Sequence, residues 1–156
     1  MLVSSGTSRF GTLRRTPGVR QARPVSDAGT REGRCLCGAV TYVVSGPLRP
    51  VIDCHCERCR RFTGHHLAAT STATADVAIE DPAQQLTWFP VPGAEYGFCR
   101  TCGGSLFWRA EAWPDLLSIC AGTLEPPTGL HTAEAWWVSQ ASDYFVRADL
   151  PELDTE

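Results

Sequence analysis

The chain has 156 residues, 43% of them hydrophobic, which is enough for one domain with its own core. Residues 1–31 carry six Arg and one Asp, net +5, whereas the remainder carries eight Arg and sixteen acidic residues, net −8. The acidic remainder excludes a nucleic-acid-binding surface. Because no signal peptide and no membrane-spanning run are visible, we expect a cytoplasmic protein without a membrane partner.

The two ends of the chain differ in composition from its middle. Residues 1–31 are dominated by Ser, Gly, Thr, Pro and Arg and show no apolar periodicity, which predicts a disordered tail. We expect one domain over residues 32–150, with order beginning near Arg34, and a short C-terminal tail over residues 151–156.

Short apolar runs separated by Gly and Pro predict an all-β domain. One helical turn is expected over Glu57–Phe62, ended by Gly64. Trp136 and Trp137 are expected on opposite faces of a strand. The predicted strands are residues 39–44, 51–53, 66–74, 77–79, 86–89, 95–98, 105–108, 116–120, 135–138 and 144–146.

Seven of the eight cysteines form three closely spaced groups. In a chain without signs of secretion, such spacing indicates a metal rather than disulfides, and thiolates favour zinc, copper(I) or iron–sulfur clusters. The eighth, Cys120, lies alone in an apolar strand and is expected to be a core residue. The groups are Cys35/Cys37, Cys54/Cys56/Cys59 and Cys99/Cys102.

Seven sulfurs divide naturally into a closed zinc site with four ligands and an open site with three. One grouping combines the first and third cysteine groups and leaves the middle group as the open site. A rival grouping combines the two CxxC pairs, Cys56/Cys59 and Cys99/Cys102, as a zinc ribbon. The long separation between these pairs favours the first grouping.

Four segments carry a resemblance to a known family: GRCLCGAV (33–40), CHCERCR (54–60), FCRTCG (98–103) and AGTL (121–124). Over about residues 32–150 the chain resembles the glutathione-dependent formaldehyde-activating enzymes, a family that includes the centromere protein V domain. The resemblance implies a zinc-binding β-tent fold of short antiparallel strands. It also implies two zinc ions, a structural one held by Cys35, Cys37, Cys99 and Cys102 and a catalytic one held by Cys54, Cys56 and Cys59.

The function that the resemblance implies is a carbon–sulfur lyase for formaldehyde detoxification. Such an enzyme joins or splits a small thiol, glutathione or a similar one, and an aldehyde. The alternatives are a non-catalytic zinc module that binds a protein and another thiol-dependent detoxification reaction. Near its end the chain departs from the family, with Ala135, Gln140 and Tyr144 at positions that often hold histidine, lysine and tryptophan.

Charged and ring side chains next to the middle cysteines are further candidates. Arg58, Arg60 and Arg61 are predicted to bind the carboxylates of an anionic thiol, with a solvated basic turn as the alternative. His55 is expected to support the cysteines rather than to replace one as a ligand. His65 and His66 follow closely and are expected at the surface or facing the pocket.

Overall fold

The computed structural model describes residues 29–146 and the backbone of residues 152–153. Strands dominate this part of the chain, and the all-β fold predicted from the sequence is confirmed. The one α-helix among the described residues, α1, spans Glu57–Thr63. The strands are β1 Arg31–Arg34, β2 Thr41–Val44, β3 Val51–Cys54, β4 Leu67–Ala73, β5 Val77–Glu80, β6 Leu86–Val91, β7 Ala94–Cys99, β8 Ser105–Ala110, β9 Leu116–Cys120, β10 Thr132–Trp136 and β11 Glu152–Leu153.

The strands form two sheets. The larger sheet has eight strands in the order β11-β10-β3-β4-β9-β8-β7-β6, and the smaller has three in the order β1-β2-β5. Most neighbours are antiparallel, but β10 runs parallel to both β3 and β11. The antiparallel pairs agree with the fold of short antiparallel strands that the resemblance implies, and β10 adds two parallel pairings to it. The chain between β9 and β10 crosses to the far side of β3, and such a crossover allows parallel pairing.

Successive side chains of a strand point to opposite faces of the sheet, and the large sheet buries side chains on both of its faces. On one face, Phe107 and Ile119 pack against the small sheet, where the ring of Tyr42 lies 5.1 Å from that of Phe107. On the opposite face, Trp108 and Cys120 pack in a second core that includes residues of α1. The first core therefore joins the two sheets, and the second joins the helix to the large sheet.

Three details near the ends differ from the sequence-based expectations. Strand β1 begins at Arg31, earlier than the expected start near Arg34, because its residues pair with β2. Strand β11 lies within the expected C-terminal tail and pairs with β10. The strand predicted over residues 144–146 is wrong: this segment forms a turn and a coil, where the ring of Phe145 lies 4.8 Å from that of His55.

Most of the predicted N-terminal tail, residues 1–28, lies outside the described residues. So do residues 147–151 and 154–156, which include most of the predicted C-terminal tail. Among the described helices, none is long and apolar enough to cross a membrane.

Candidate metal sites

The first cysteine cluster joins the two sheets. Cys35 and Cys37 lie in the turn between β1 and β2, and Cys99 and Cys102 lie where β7 turns toward β8. All four sulfur atoms are within 4.8 Å of one another. The Sγ atoms of Cys35 and Cys37 are 3.6 Å apart, and those of Cys37 and Cys99 are 3.8 Å apart. The sulfurs therefore gather in the grouping that the spacing favoured, not as the rival ribbon.

Tight backbone turns beside these cysteines bring their sulfur atoms together. Gly38 and Gly103 have φ angles of 76° and 72°, a left-handed conformation that glycine adopts without steric cost. The tight turns let backbone N–H groups approach the sulfurs, and Val40 N donates to Cys35 Sγ at 3.4 Å. A hydrogen bond from the backbone of Gly104 lowers the pKa of Cys102 to about 6, which favours the thiolate that a metal requires.

The second cluster, which we call the triad, consists of Cys54, Cys56 and Cys59. Cys54 ends β3, Cys56 is the residue that caps the N-terminus of α1, and Cys59 lies in the first turn of that helix. The Cys56 sulfur accepts the backbone N–H of Cys59 at 3.4 Å, as a capping side chain does. Gly64 ends the helix as predicted, with a left-handed φ of 79°.

The triad sulfurs crowd one another, since all three lie within 4.8 Å. Hydrogen bonds to Cys56 and Cys59, together with burial, raise the pKa of Cys54 far above its usual value. Hydrogen bonds from Cys54 and Cys59 lower the pKa of Cys56 to about 2. One sulfur is therefore readily ionised at the expense of its neighbours, and a cation is needed to stabilise three thiolates together.

Both clusters offer the sulfur ligands that zinc prefers, and the four-cysteine cluster also has the spacing that zinc requires. Tetrahedral zinc with bonds of about 2.3 Å to sulfur places its ligands about 3.8 Å apart. In the four-cysteine cluster, the Sγ atoms of Cys35 and Cys37 and those of Cys37 and Cys99, 3.6 Å and 3.8 Å apart, match this spacing. Among the residues that the structure describes, no further His, Cys, Asp or Glu ligand atom joins the triad. The triad thus suits a metal ion with one position left for water or substrate.

Aromatic side chains surround the triad on the second core. The hydroxyl of Tyr96, on β7, lies 3.4 Å from the sulfur of Cys59, and burial raises the pKa of Tyr96 well above its usual value. The ring of Phe62, on α1, lies 4.6 Å from that of Tyr96. Three tryptophans, Trp108, Trp136 and Trp137, pack against the same core. Cys54 and Cys59 are thus buried in a core that is rich in aromatic side chains.

The segment after β10 makes hydrogen bonds to α1, the helix that contains Cys59 and begins after Cys56. Trp137 has a left-handed φ of 58°, which is uncommon for a bulky residue and turns the chain away from the sheet. The turn places Gln140 Oε1 2.9 Å from the backbone N–H of Glu57, which donates to it. Ser142 Oγ lies 3.0 Å from Nη1 of Arg60, which donates to it. The segment therefore fixes both the start and the middle of α1.

Three histidines form a ring cluster beside the triad. His55 is buried, and its ring lies 5.2 Å from that of His66 and 4.8 Å from that of Phe145. His66 Nε2 lies 3.4 Å from a carboxylate oxygen of Asp53, and burial lowers the pKa of His66. The ring of His65 lies 4.4 Å from that of His66 and is tilted by 58° relative to it. None of the histidines joins a metal cluster among the described residues, so they pack around the triad rather than complete it.

The three candidate arginines have different surroundings. Arg58 donates to the carbonyl oxygen of Pro92 at 3.2 Å, and its charge contributes to the lowered pKa of Cys56. Arg60 contacts Ser142 and keeps its Nε buried without a hydrogen-bond partner in the described part of the chain. Arg61 is paired with Glu57 at 2.9 Å, and its side chain is 77% exposed. Of the three, Arg58 is therefore the one whose charge acts on a triad sulfur.

A surface cleft of about 360 Å³ lies beside the four-cysteine cluster, not beside the triad. An ion pair between Arg34 and Glu125, 2.7 Å apart, lies on its wall. The exposed side chain of Leu36 lines it as well. Cys35, which belongs to the four-cysteine cluster, also lines the cleft.

Sequence reasoning missed Tyr96 and the capping role of Gln140. Strand alternation could have indicated the tyrosine, because Tyr96 and Cys99 are three positions apart and face opposite sides of the sheet. If Cys99 faces the four-cysteine cluster, Tyr96 must face the other core. No local pattern indicated Gln140, because its partner Glu57 is far away in the sequence.

Comparisons with known proteins identify the family of the chain. Residues 30–140 match the sequence profile of the family described as glutathione-dependent formaldehyde-activating enzyme. A Halomonas elongata protein named "Putative glutathione-dependent formaldehyde-activating enzyme" is 29% identical over 114 residues, which cover 64% of this chain and 72% of that protein. A crystal structure of a Rhodobacter sphaeroides protein is similar with a TM-score of 0.53 and 28% identity, covering 63% of this chain and 91% of that one. The chain belongs to the family of glutathione-dependent formaldehyde-activating enzymes.

Proposed function

We propose that the chain is a zinc-dependent carbon–sulfur lyase that joins a small thiol to an aldehyde or splits the product. Cys54, Cys56 and Cys59 hold the catalytic zinc ion in this proposal. Cys35, Cys37, Cys99 and Cys102 hold a structural one. The observation that carries the proposal is a gathered set of three sulfurs without a fourth ligand among the described residues.

Zinc at such a site lowers the pKa of an incoming thiol and polarises a carbonyl oxygen. The residues around the triad supply the remaining requirements. Cys56 and Cys59 are fixed relative to each other by α1, and Cys54 is fixed by β3. Trp108 and Trp137 pack against the same core, and the exclusion of water strengthens electrostatic interactions within the site.

The arginines support an anionic thiol as the substrate class. Arg58 and Arg60 lie on the helix that carries Cys59, and guanidinium groups bind carboxylates with charge-assisted hydrogen bonds. The buried Nε of Arg60 has a proton to donate and no partner among the described residues. Glutathione, which carries two carboxylates, is the thiol that this arrangement and the family favour. Free thiolates also require a reducing compartment, which favours the cytoplasm.

The alternative function is a non-catalytic zinc module that binds a protein. Such a module needs only the four-cysteine cluster, which is a closed site. The triad would then have no purpose, although it is buried, shaped by a helix cap and surrounded by aromatic side chains. These features favour the enzyme.

Replacing one triad cysteine tests the proposal. Cys56→Ser should bind one zinc ion where the wild type binds two, should lose activity and should keep its fold, because the four-cysteine cluster is untouched. Cys120→Ser is the matched control, since Cys120 is buried in the same core but lies outside both clusters. It should keep both ions. A Cys56→Ser protein with two ions and full activity would contradict the proposal.

A pair of arginine variants tests the substrate class. Arg60→Ala should weaken the binding of glutathione about tenfold and leave cysteamine, which has no carboxylate, nearly unchanged. Arg61→Ala should affect neither thiol, because Arg61 is exposed and already paired with Glu57. Equal losses for both thiols in Arg60→Ala would show that this residue does not recognise a carboxylate.

A further inference from the structure

We propose that Tyr96 is a positioning residue of the triad: its hydroxyl donates a hydrogen bond to the sulfur of Cys59 and thereby tunes how that sulfur binds the metal. This inference rests on the proposed function in one respect, namely that the triad holds a metal ion. It adds a residue from a different strand, far from the triad in the sequence, that acts on the metal through a ligand.

The contact is well defined by its surroundings. The hydroxyl oxygen of Tyr96 lies 3.4 Å from Cys59 Sγ, and both residues are buried, with exposed fractions of 3% and 5%. The ring is held by Phe62, whose centroid is 4.6 Å away. Within the described residues, the Cys59 sulfur is the hydrogen-bond partner that the structure gives this hydroxyl. A buried tyrosine hydroxyl normally has such a partner, and here it is a candidate metal ligand.

Chemistry fixes the direction of this hydrogen bond. A cysteine that binds a metal does so as a thiolate and has no proton to give, so the O–H group must donate. A donor in an apolar site stabilises the thiolate against protonation and draws electron density from the sulfur. The metal then keeps its ligand more firmly in competition with protons, and it becomes a stronger Lewis acid because that ligand donates less charge.

The hydrogen bond also makes the three ligands unequal. The sulfur of Cys56 accepts a backbone N–H from the helix, at 3.4 Å, which any residue at position 59 would supply. The sulfur of Cys59 instead depends on the Tyr96 side chain, which a single substitution can remove. Tyr96 is therefore the place at which the electronic properties of the triad can be changed without replacing a ligand.

The experiment uses the full chain loaded with cobalt(II), which reports sulfur ligation by its charge-transfer absorption. Tyr96→Phe should bind cobalt at the triad about tenfold more weakly in competition with a chelator. Its sulfur-to-cobalt band should move to longer wavelength, because a sulfur without the hydrogen bond gives up an electron more easily. Tyr42→Phe is the matched control: it also removes a buried hydroxyl, but one that bonds to Thr123 Oγ1 at 2.6 Å. It should leave both readouts unchanged.

A second measurement avoids any loss of side-chain volume. The chain has three tyrosines, and 3-fluorotyrosine incorporated in their place is a stronger hydrogen-bond donor. The band of the fluorinated wild type should move to shorter wavelength, opposite to the shift in Tyr96→Phe. Fluorinated Tyr42→Phe and Tyr144→Phe should show the same shift. If Tyr96→Phe fails to fold, these fluorinated proteins still decide the question.

The outcomes separate the inference from the function on which it rests. A wild type that binds two cobalt ions, with a band that neither Tyr96→Phe nor fluorination moves, would overturn the inference and leave the proposed function standing. A wild type that binds one cobalt ion, at the four-cysteine cluster alone, would overturn the proposed function and the inference together.

Discussion

Replacing Cys35 should remove most of the stability of the domain. Cys35 is 1% exposed, accepts a hydrogen bond from Val40 and belongs to the core that joins the two sheets. A structural zinc ion contributes on the order of 10 kcal/mol to folding, whereas a domain of this size has a free energy of unfolding of about 5–15 kcal/mol. Cys35→Ser should therefore leave the domain unfolded or only marginally folded.

The appropriate assay combines urea unfolding with metal analysis after dialysis against a chelator. Cys120→Ser serves as the control, since it also places a hydroxyl at a buried cysteine position outside both clusters. The control should lose only about 1–3 kcal/mol, the cost of a buried polar group without a good partner, and should retain both metal ions. A Cys35→Ser protein with wild-type metal content and an unchanged urea midpoint would refute the structural role of this cluster.

Two further predictions concern the N-terminus of α1 and the N-terminus of the chain. Gln140→Ala should lose about 1 kcal/mol in urea unfolding, because it removes the acceptor of the Glu57 N–H at the start of α1; an unchanged midpoint would contradict this. Deleting residues 1–28 should leave the melting temperature unchanged, whereas a deletion through Arg34 should lower it, because it removes β1 and its pairing with β2. Equal melting temperatures for the two deletions would refute the second prediction.

The sequence predicted the features that depend on neighbouring residues. Gly64 ends the helix because its left-handed conformation is available locally, and the cysteine pairs form turns because the glycines beside them permit tight bends. The grouping of the sulfurs also followed from spacing. The helix end and the turns are encoded within a few positions of one another, so local patterns were sufficient to find them. The grouping is not local, since Cys37 and Cys99 are 62 positions apart, and it was inferred from the separation that argues against a ribbon of the two CxxC pairs.

Features that depend on distant contacts were not predicted. Trp136 and Trp137 were expected on opposite faces of one strand, but the left-handed turn at Trp137 ends β10, and both side chains pack against the same core. The segment around Phe145 was expected to be a strand, but its ring packs among the histidines instead. In both cases tertiary packing outweighs the local preference of aromatic residues for strands.

The surroundings of the three arginines near the triad also divide into features that depend on neighbouring residues and features that depend on distant contacts. The sequence indicated three basic residues near the triad but could not distinguish their surroundings. Arg61 lies one helical turn after Glu57 and pairs with it, which helical periodicity alone explains. The contact of Arg60 with Ser142 depends on how the segment after β10 folds back over α1, which no local pattern records.

The most direct test of the central claim is a thiol titration of the cobalt-substituted protein. If the triad holds a metal ion with an open position, glutathione or cysteamine should add a fourth sulfur and strengthen the sulfur-to-cobalt charge-transfer band. Cys56→Ser should show no such change and should hold one ion fewer. If neither thiol alters the band and Cys56→Ser holds as much metal as the wild type, the open site does not exist and the chain is a binding module.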